Sequence, residues 1–201
     1  MAQQIAQGMG YLHHRGIIHK DLKTKNIFLE NGRAIITDFG LVNVARRLCA
    51  NQCGPVSIST MIEREYLSIP KGWLCYLAPE IMQALRVQQP MESDDLPFTK
   101  DSDVYAFGTV WFELLTGEWP WKHQPPETII WLVGKGMKPS LANLSATRDV
   151  KDILVMCWTY KGENRPDFNF LSNALERIPK KRLARSPSHP VQLTRSAEST
   201  F

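Results

Sequence analysis

His19-Lys20-Asp21-Leu22-Lys23-Thr24-Lys25-Asn26 is the stretch on which the reading of this chain turns. Twelve residues past Asn26 stands Asp38-Phe39-Gly40, and farther on comes Ala78-Pro79-Glu80. Upstream, Ile5, Met9 and Leu12 recur at helical spacing, so residues 2–15 are expected to form a helix that stops at Gly16. Downstream, the apolar runs Ile27-Phe28-Leu29 and Ala34-Ile35-Ile36 flank Asn31-Gly32. Asn-Gly between two such runs predicts a hairpin. The string at 19–26 therefore leads into a hairpin, and Asp38 leaves its second strand.

Farther out, residues 41–75 show little periodicity and are expected to be a long loop, a length that in a compact domain usually serves function. A short helix is expected at 79–86 and a polar loop from Arg86 to Pro97. Asp101 to Gly117 is apolar nearly all round and reads as a buried central helix, capped by Ser102 or Asp101 and ended by Gly117. Pro125 and Pro126 open another helix through Val133, with Glu127 in its first turn. Val150–Trp158 and Phe168–Ile178 are the last two helices. Residues 1–178 thus form one mainly helical domain with a single hairpin, and 179–201 a Ser- and Pro-rich disordered tail.

Composition fits one globular domain: 201 residues, 43% hydrophobic and 22% charged. No apolar run approaches the roughly 20 residues that span a bilayer, and the first residues are not a signal peptide. The net charge of +4 is carried by the tail, where Lys180, Lys181, Arg182, Arg185 and Arg195 face only Glu198. No basic stripe with interleaved aromatics marks a nucleic-acid surface. Cys49, Cys53, Cys75 and Cys157 lack zinc-ligand spacing and read as free thiols in a reducing compartment. The expected location is cytoplasmic, with plasma-membrane recruitment left to regions outside this chain.

In their order and spacing, the strings at 19–26, 38–40 and 78–80 resemble the catalytic loop, magnesium-binding loop and activation-segment end of a eukaryotic protein kinase. Three further matches join them. Glu80 has a partner in Arg165 of Asn164-Arg165-Pro166, Asp103 resembles the helix aspartate that bonds the catalytic-loop backbone, and Trp158 precedes the Arg-Pro. The resemblance runs from the first helix to about residue 178. It implies a protein-kinase-like fold of the α+β class, of which this chain holds the mainly helical C-lobe. The glycine-rich loop and strand lysine of the other lobe have no counterpart in the chain.

The resemblance also assigns roles. Phosphoryl transfer needs positioning and charge neutralisation more than covalent chemistry. Asp21 would accept or orient the proton of the attacking hydroxyl, and Lys23 would stabilise the transferring phosphoryl group. Asn26 and Asp38 would hold Mg2+ between the phosphates of ATP, with Phe39 packed under the loop and Gly40 giving it backbone freedom. His19, Lys20, Glu80, Asp103 and Arg165 would hold the frame. ATP binding by this chain alone is expected to be weak, and catalysis by it absent.

Within the kinases, Gly8-Met9-Gly10-Tyr11-Leu12-His13 leading to Ile18-His19 resembles the Raf branch. Lys20 where arginine is usual, Ile36-Thr37-Asp38-Phe39-Gly40-Leu41, Gly72-Trp73-Leu74-Cys75, Gly136-Met137-Lys138-Pro139 and Ser196-Ala197-Glu198 are closer to the kinase suppressor of Ras family. That family implies a pseudokinase-type scaffold in Ras–Raf–MAP kinase signalling, with MAP kinase kinase and Raf-family kinases as partners. The alternatives are a fragment of an active Raf-like serine/threonine kinase and a truncated product that acts only by binding. Lysine is a point charge and cannot make the forked phosphate contact of arginine, so activation-segment phosphorylation is expected to couple weakly to the site.

Two stretches read as partner sites. Thr128-Ile129-Ile130-Trp131-Leu132-Val133 is apolar on every face, so part of it either packs under neighbouring loops or forms an exposed patch. The family resemblance assigns MAP kinase kinase to this helix, with Ile130 and Trp131 as contacts. Arg185-Ser186-Pro187-Ser188-His189-Pro190 fits the pattern that 14-3-3 proteins read once Ser188 is phosphorylated; read blandly it is a solvated basic linker.

Overall fold

The computed structural model describes residues 1–39, 71–84 and 96–179. The expectations for Gly40, the thiols of Cys49 and Cys53, nearly all of the long loop, most of the Arg86–Pro97 loop, and the tail with Ser188 lie outside the described residues. Helix α1 spans Ala2–His14 and ends as Gly16 enters the left-handed region at φ 76°. A short 3-10 turn, Thr24–Asn26, delivers the chain into β1, Ile27–Glu30, and β2, Arg33–Ile36. The strands pair antiparallel from Ile27↔Ile36 to Glu30↔Arg33. Asn31 and Gly32 take φ of 49° and 75°, which a two-residue turn matched to the strand twist demands.

The long loop expected up to about residue 75 closes earlier, in a helical turn, α2, at Lys71–Leu74. Burial explains it: Leu74 is fully enclosed and Trp73 nearly so, a tertiary effect that periodicity over one turn cannot report. Helix α3 follows at Pro79–Ala84, then α4 at Lys100–Thr116, α5 at Pro126–Gly134, α6 at Arg148–Cys157 and α7 at Phe168–Arg177.

Helix α4 is the axis of the core, buried on all sides from Ser102 to Trp111. Its cap is not Ser102 or Asp101 but Thr99. The Thr99 hydroxyl accepts from the Ser102 N–H at 3.2 Å, and the Ser102 hydroxyl accepts from the Thr99 N–H at 3.0 Å. The Thr99-x-x-Ser102 pair is a reciprocal capping box, which moves Ser102 inside the first turn. Gly117 closes the helix in the left-handed region.

Around this axis α1 lies against α4 and α7, α6 packs on α4, and α5 covers α2 and α3. Phe107 of α4 stacks on Trp111 and meets Phe168 of α7 edge-on at 5.4 Å. The hairpin docks through β2 on α1, where Gly8 leaves room for the Ile36 side chain. No helix of the described residues is long and apolar enough to cross a membrane. Cys75 and Cys157 are buried, and the Cys75 thiol donates to the Pro120 carbonyl at 2.9 Å. Burial pushes the Cys157 thiol up to about 12, which leaves it unreactive.

Candidate functional site

Asp103, in the first turn of α4, organises the loop. Its carboxylate accepts from His13 Nε2 at 2.8 Å, from the His19 N–H at 2.8 Å and from the Lys20 N–H at 2.9 Å. Two consecutive backbone donors on one buried carboxylate force the loop to turn there. Lys20 turns at φ 69°, a conformation disfavoured for a residue with a side chain and held by its surroundings. The next residue, Asp21, is thereby aimed inward.

The Asp21 carboxylate is buried. Its Oδ2 accepts from Lys23 Nζ at 2.6 Å and from Asn26 Nδ2 at 3.1 Å. Its Oδ1 accepts from the Trp73 indole at 3.0 Å. Asn26 Nδ2 also donates to the Asp21 carbonyl at 2.9 Å, which fixes the amide orientation and leaves its Oδ1 as the atom for a cation. The Thr37 N–H donates to the Asn26 carbonyl at 2.9 Å. That bond holds Thr37, the residue before Asp38, to Asn26. Asp38 is exposed, at φ 59°, and its carboxylate has no partner among the described residues. One carboxylate and one amide oxygen suit Mg2+, which keeps waters and takes its other ligands from phosphates.

His19 is fully buried. Its Nδ1 accepts from the Asp21 N–H at 3.3 Å, and its Nε2 finds no partner among the described residues. Phe39, expected to pack under the loop, sets its ring edge-on to this imidazole at 6.3 Å. Burial holds the His19 pKa below its ordinary value, while the carboxylates of Asp103 and Asp21 pull it upward.

Arg165 meets Glu80 in two parallel bonds, at 2.7 and 2.8 Å. It also donates to the carbonyls of Thr159, Asp101 and Tyr160. This forked pair ties α3 to the loop before α7 and to the start of α4. Ile130 is half-buried on α5, and Trp131 is 60% exposed. Ile129 and Val133 of the same helix are buried, so packing claims one face and leaves the other outward.

Five participants escaped the sequence. Trp73 caps Asp21. Thr24 and the Tyr76 hydroxyl both donate to Glu113 Oε2, which pins the catalytic-type loop to α4 and to the segment before α3. Burial and the Glu113 carboxylate raise the Tyr76 phenol above its ordinary range. His13 supplies the third donor to Asp103. Each lies far in sequence from its partner, and no spacing rule links them.

The family model for protein tyrosine and serine/threonine kinases matches residues 1–175. The chain belongs to the protein kinase family. Within it, the chain is similar to kinase suppressors of Ras. It is 47% identical over 198 residues to kinase suppressor of Ras 2 of Homo sapiens, covering 98% of this chain and 19% of that protein. It is 42% identical over 204 residues to kinase suppressor of Ras A of Caenorhabditis elegans, covering 100% of this chain and 25% of the relative. The serine/threonine-protein kinase A-Raf of Sus scrofa matches at 35% over 197 residues, 94% of this chain and 29% of that one. The chain thus spans less than a third of the length of these relatives.

Proposed function

We propose that this chain is the large lobe of a pseudokinase-type scaffold in Ras–Raf–MAP kinase signalling. It holds MAP kinase kinase through the outward face of α5, works beside Raf-family kinases in the cytoplasm, and keeps the remnant of an ATP–Mg2+ site. The observation that carries the reading is Trp131, a large apolar side chain 60% exposed on a helix anchored by two buried neighbours. A ring so placed lacks an intramolecular reason and suits a partner pocket. The similarity to kinase suppressors of Ras supports it. The test is titration of MAP kinase kinase with the folded chain. Saturable binding is expected, and absence of binding would remove the scaffold role from this lobe.

In the remnant site Asp21 would take a proton, Lys23 would offset phosphoryl charge, and Asn26 and Asp38 would hold the metal. Bound there, Mg2+ would neutralise phosphate charge. Asp103, His19 and Lys20 keep the loop in shape, and Glu80 with Arg165 fixes the end of the activation segment.

The complete set Asp21, Lys23 and Asn26, together with the A-Raf similarity, favours a second reading, a fragment of an active Raf-like serine/threonine kinase. Transfer of ATP phosphate to protein by the longer parent, abolished by Asp21→Asn, would establish it.

For the tail, we propose that phosphorylation of Ser188 creates a 14-3-3 site. Phosphate adds close to two negative charges and three acceptor oxygens for an arginine cluster to grip. Fluorescence titration should show the phosphorylated 180–195 peptide binding 14-3-3 and the unmodified peptide not. Equal affinity would reduce the tail to a basic linker.

A further inference from the structure

Three residues of α5 line up along its outward side. Glu127, Trp131 and Lys135 recur every four residues, and all three are exposed. Trp131 lies opposite the buried Ile129 and Val133, so it marks the middle of that side. Glu127 stands in the first turn of the helix, and Lys135 closes its last. The helix dipole favours an acid and a base at those ends. Neither charge has a hydrogen-bond or ion-pair partner among the described residues. Two turns of helix, about 12 Å, keep them from meeting each other. The stripe therefore offers an apolar centre between two unpaired charges of opposite sign.

Read from either end, the order is charge, indole, opposite charge, with Trp131 at its midpoint. A two-fold axis through Trp131 sets Glu127 of each copy against Lys135 of the second copy and lays indole beside indole. Such an isologous contact uses one patch twice. Residues four apart form a ridge on the helix surface, and two such ridges interleave where helices cross at about −50°. We propose that α5 pairs with α5 of a second copy of this chain, anchored by Trp131 and held in register by Glu127 and Lys135. An interface built on one helix belongs to the small, transient class, so a paired copy exchanges with other occupants of the same face. The pairing rests only on α5 carrying a partner face, and not on MAP kinase kinase being what fills it.

Sedimentation equilibrium of the purified 201-residue chain, with no other protein present, tests the pairing. A reversible monomer–dimer equilibrium is expected, weakened by added salt. Trp131→Ala should weaken it about thirtyfold. Glu127→Lys and Lys135→Glu each place like charges at both ends of the contact, and each should weaken it about tenfold. Mixed in equal amounts, these two variants again set opposite charges at both ends and should associate as the unsubstituted chain does. Mixing cannot rescue a variant that has merely misfolded, so the recovery reads the contact itself. A chain that stays monomeric overturns the pairing. A dimer indifferent to Trp131→Ala or to the single reversals overturns it too, as does a mixture that fails to recover from variants shown folded by circular dichroism. MAP kinase kinase is absent from every measurement. Failure of the scaffold reading therefore leaves these outcomes standing, and a monomeric chain leaves the scaffold reading standing.

Discussion

Arg165 reaches five acceptors from a side chain with no exposed surface. Its guanidinium also lies 5.3 Å from the Tyr105 ring centre. Removing it strands the Glu80 carboxylate and three carbonyls at once. Arg165→Met is therefore expected to lower stability by about 3 kcal/mol or more, measured by urea unfolding. A loss under about 1 kcal/mol would show a pair solvated enough to be dispensable. His19 makes a pH prediction. Burial depresses its folded pKa, so the fold holds it neutral, while the unfolded chain takes up a proton near the ordinary value of 6.5. Its contribution to stability is present above that value and is lost as pH falls through it towards the folded pKa. The melting temperature should drop across this window. In His19→Asn, whose amide oxygen can still accept from the Asp21 N–H, the drop should be smaller. An equal drop would assign the effect to other groups.

At the scale of an element, α5 shows how a helix apolar on every face divides its surface. Ile129 and Val133 are four apart and share the buried face, and Trp131 between them points the opposite way. The packing and the patch readings of this sequence therefore each hold for different residues. Trp131→Ala should leave the circular dichroism spectrum unchanged, since the ring is outside the core. It should weaken binding of MAP kinase kinase about thirtyfold, or about 2 kcal/mol. Unchanged affinity in the folded variant would move the anchor elsewhere.

For the whole molecule, chemistry needs more than a correct loop. Phosphates must be clamped from both sides, and the roles proposed for Asp21, Lys23, Asn26 and Asp38 belong to one side. The 201-residue chain supplied with Mg2+ and ATP is expected to phosphorylate nothing. Turnover that vanished in Asp21→Asn would overturn this.

Much of the fold was legible because it rests on local rules. Asn31-Gly32 dictated a turn with two positive φ angles, and helical spacing placed α1. Continuous apolarity marked α4 as central. The ordered strings at 19–26, 38–40 and 78–80 named the family and the pairing of Glu80 with Arg165. What the sequence could not determine are the contacts between distant segments. The bond from Trp73 to Asp21 joins residues 52 apart, and that from His13 to Asp103 joins residues 90 apart. The helical turn at Lys71–Leu74 owes its existence to burial of Leu74 and Trp73, and Trp131 faces outward because the core had already taken Ile129 and Val133. Local spacing encodes turns and periodicity. Which side chain fills the space beside a carboxylate is decided only when the helices pack.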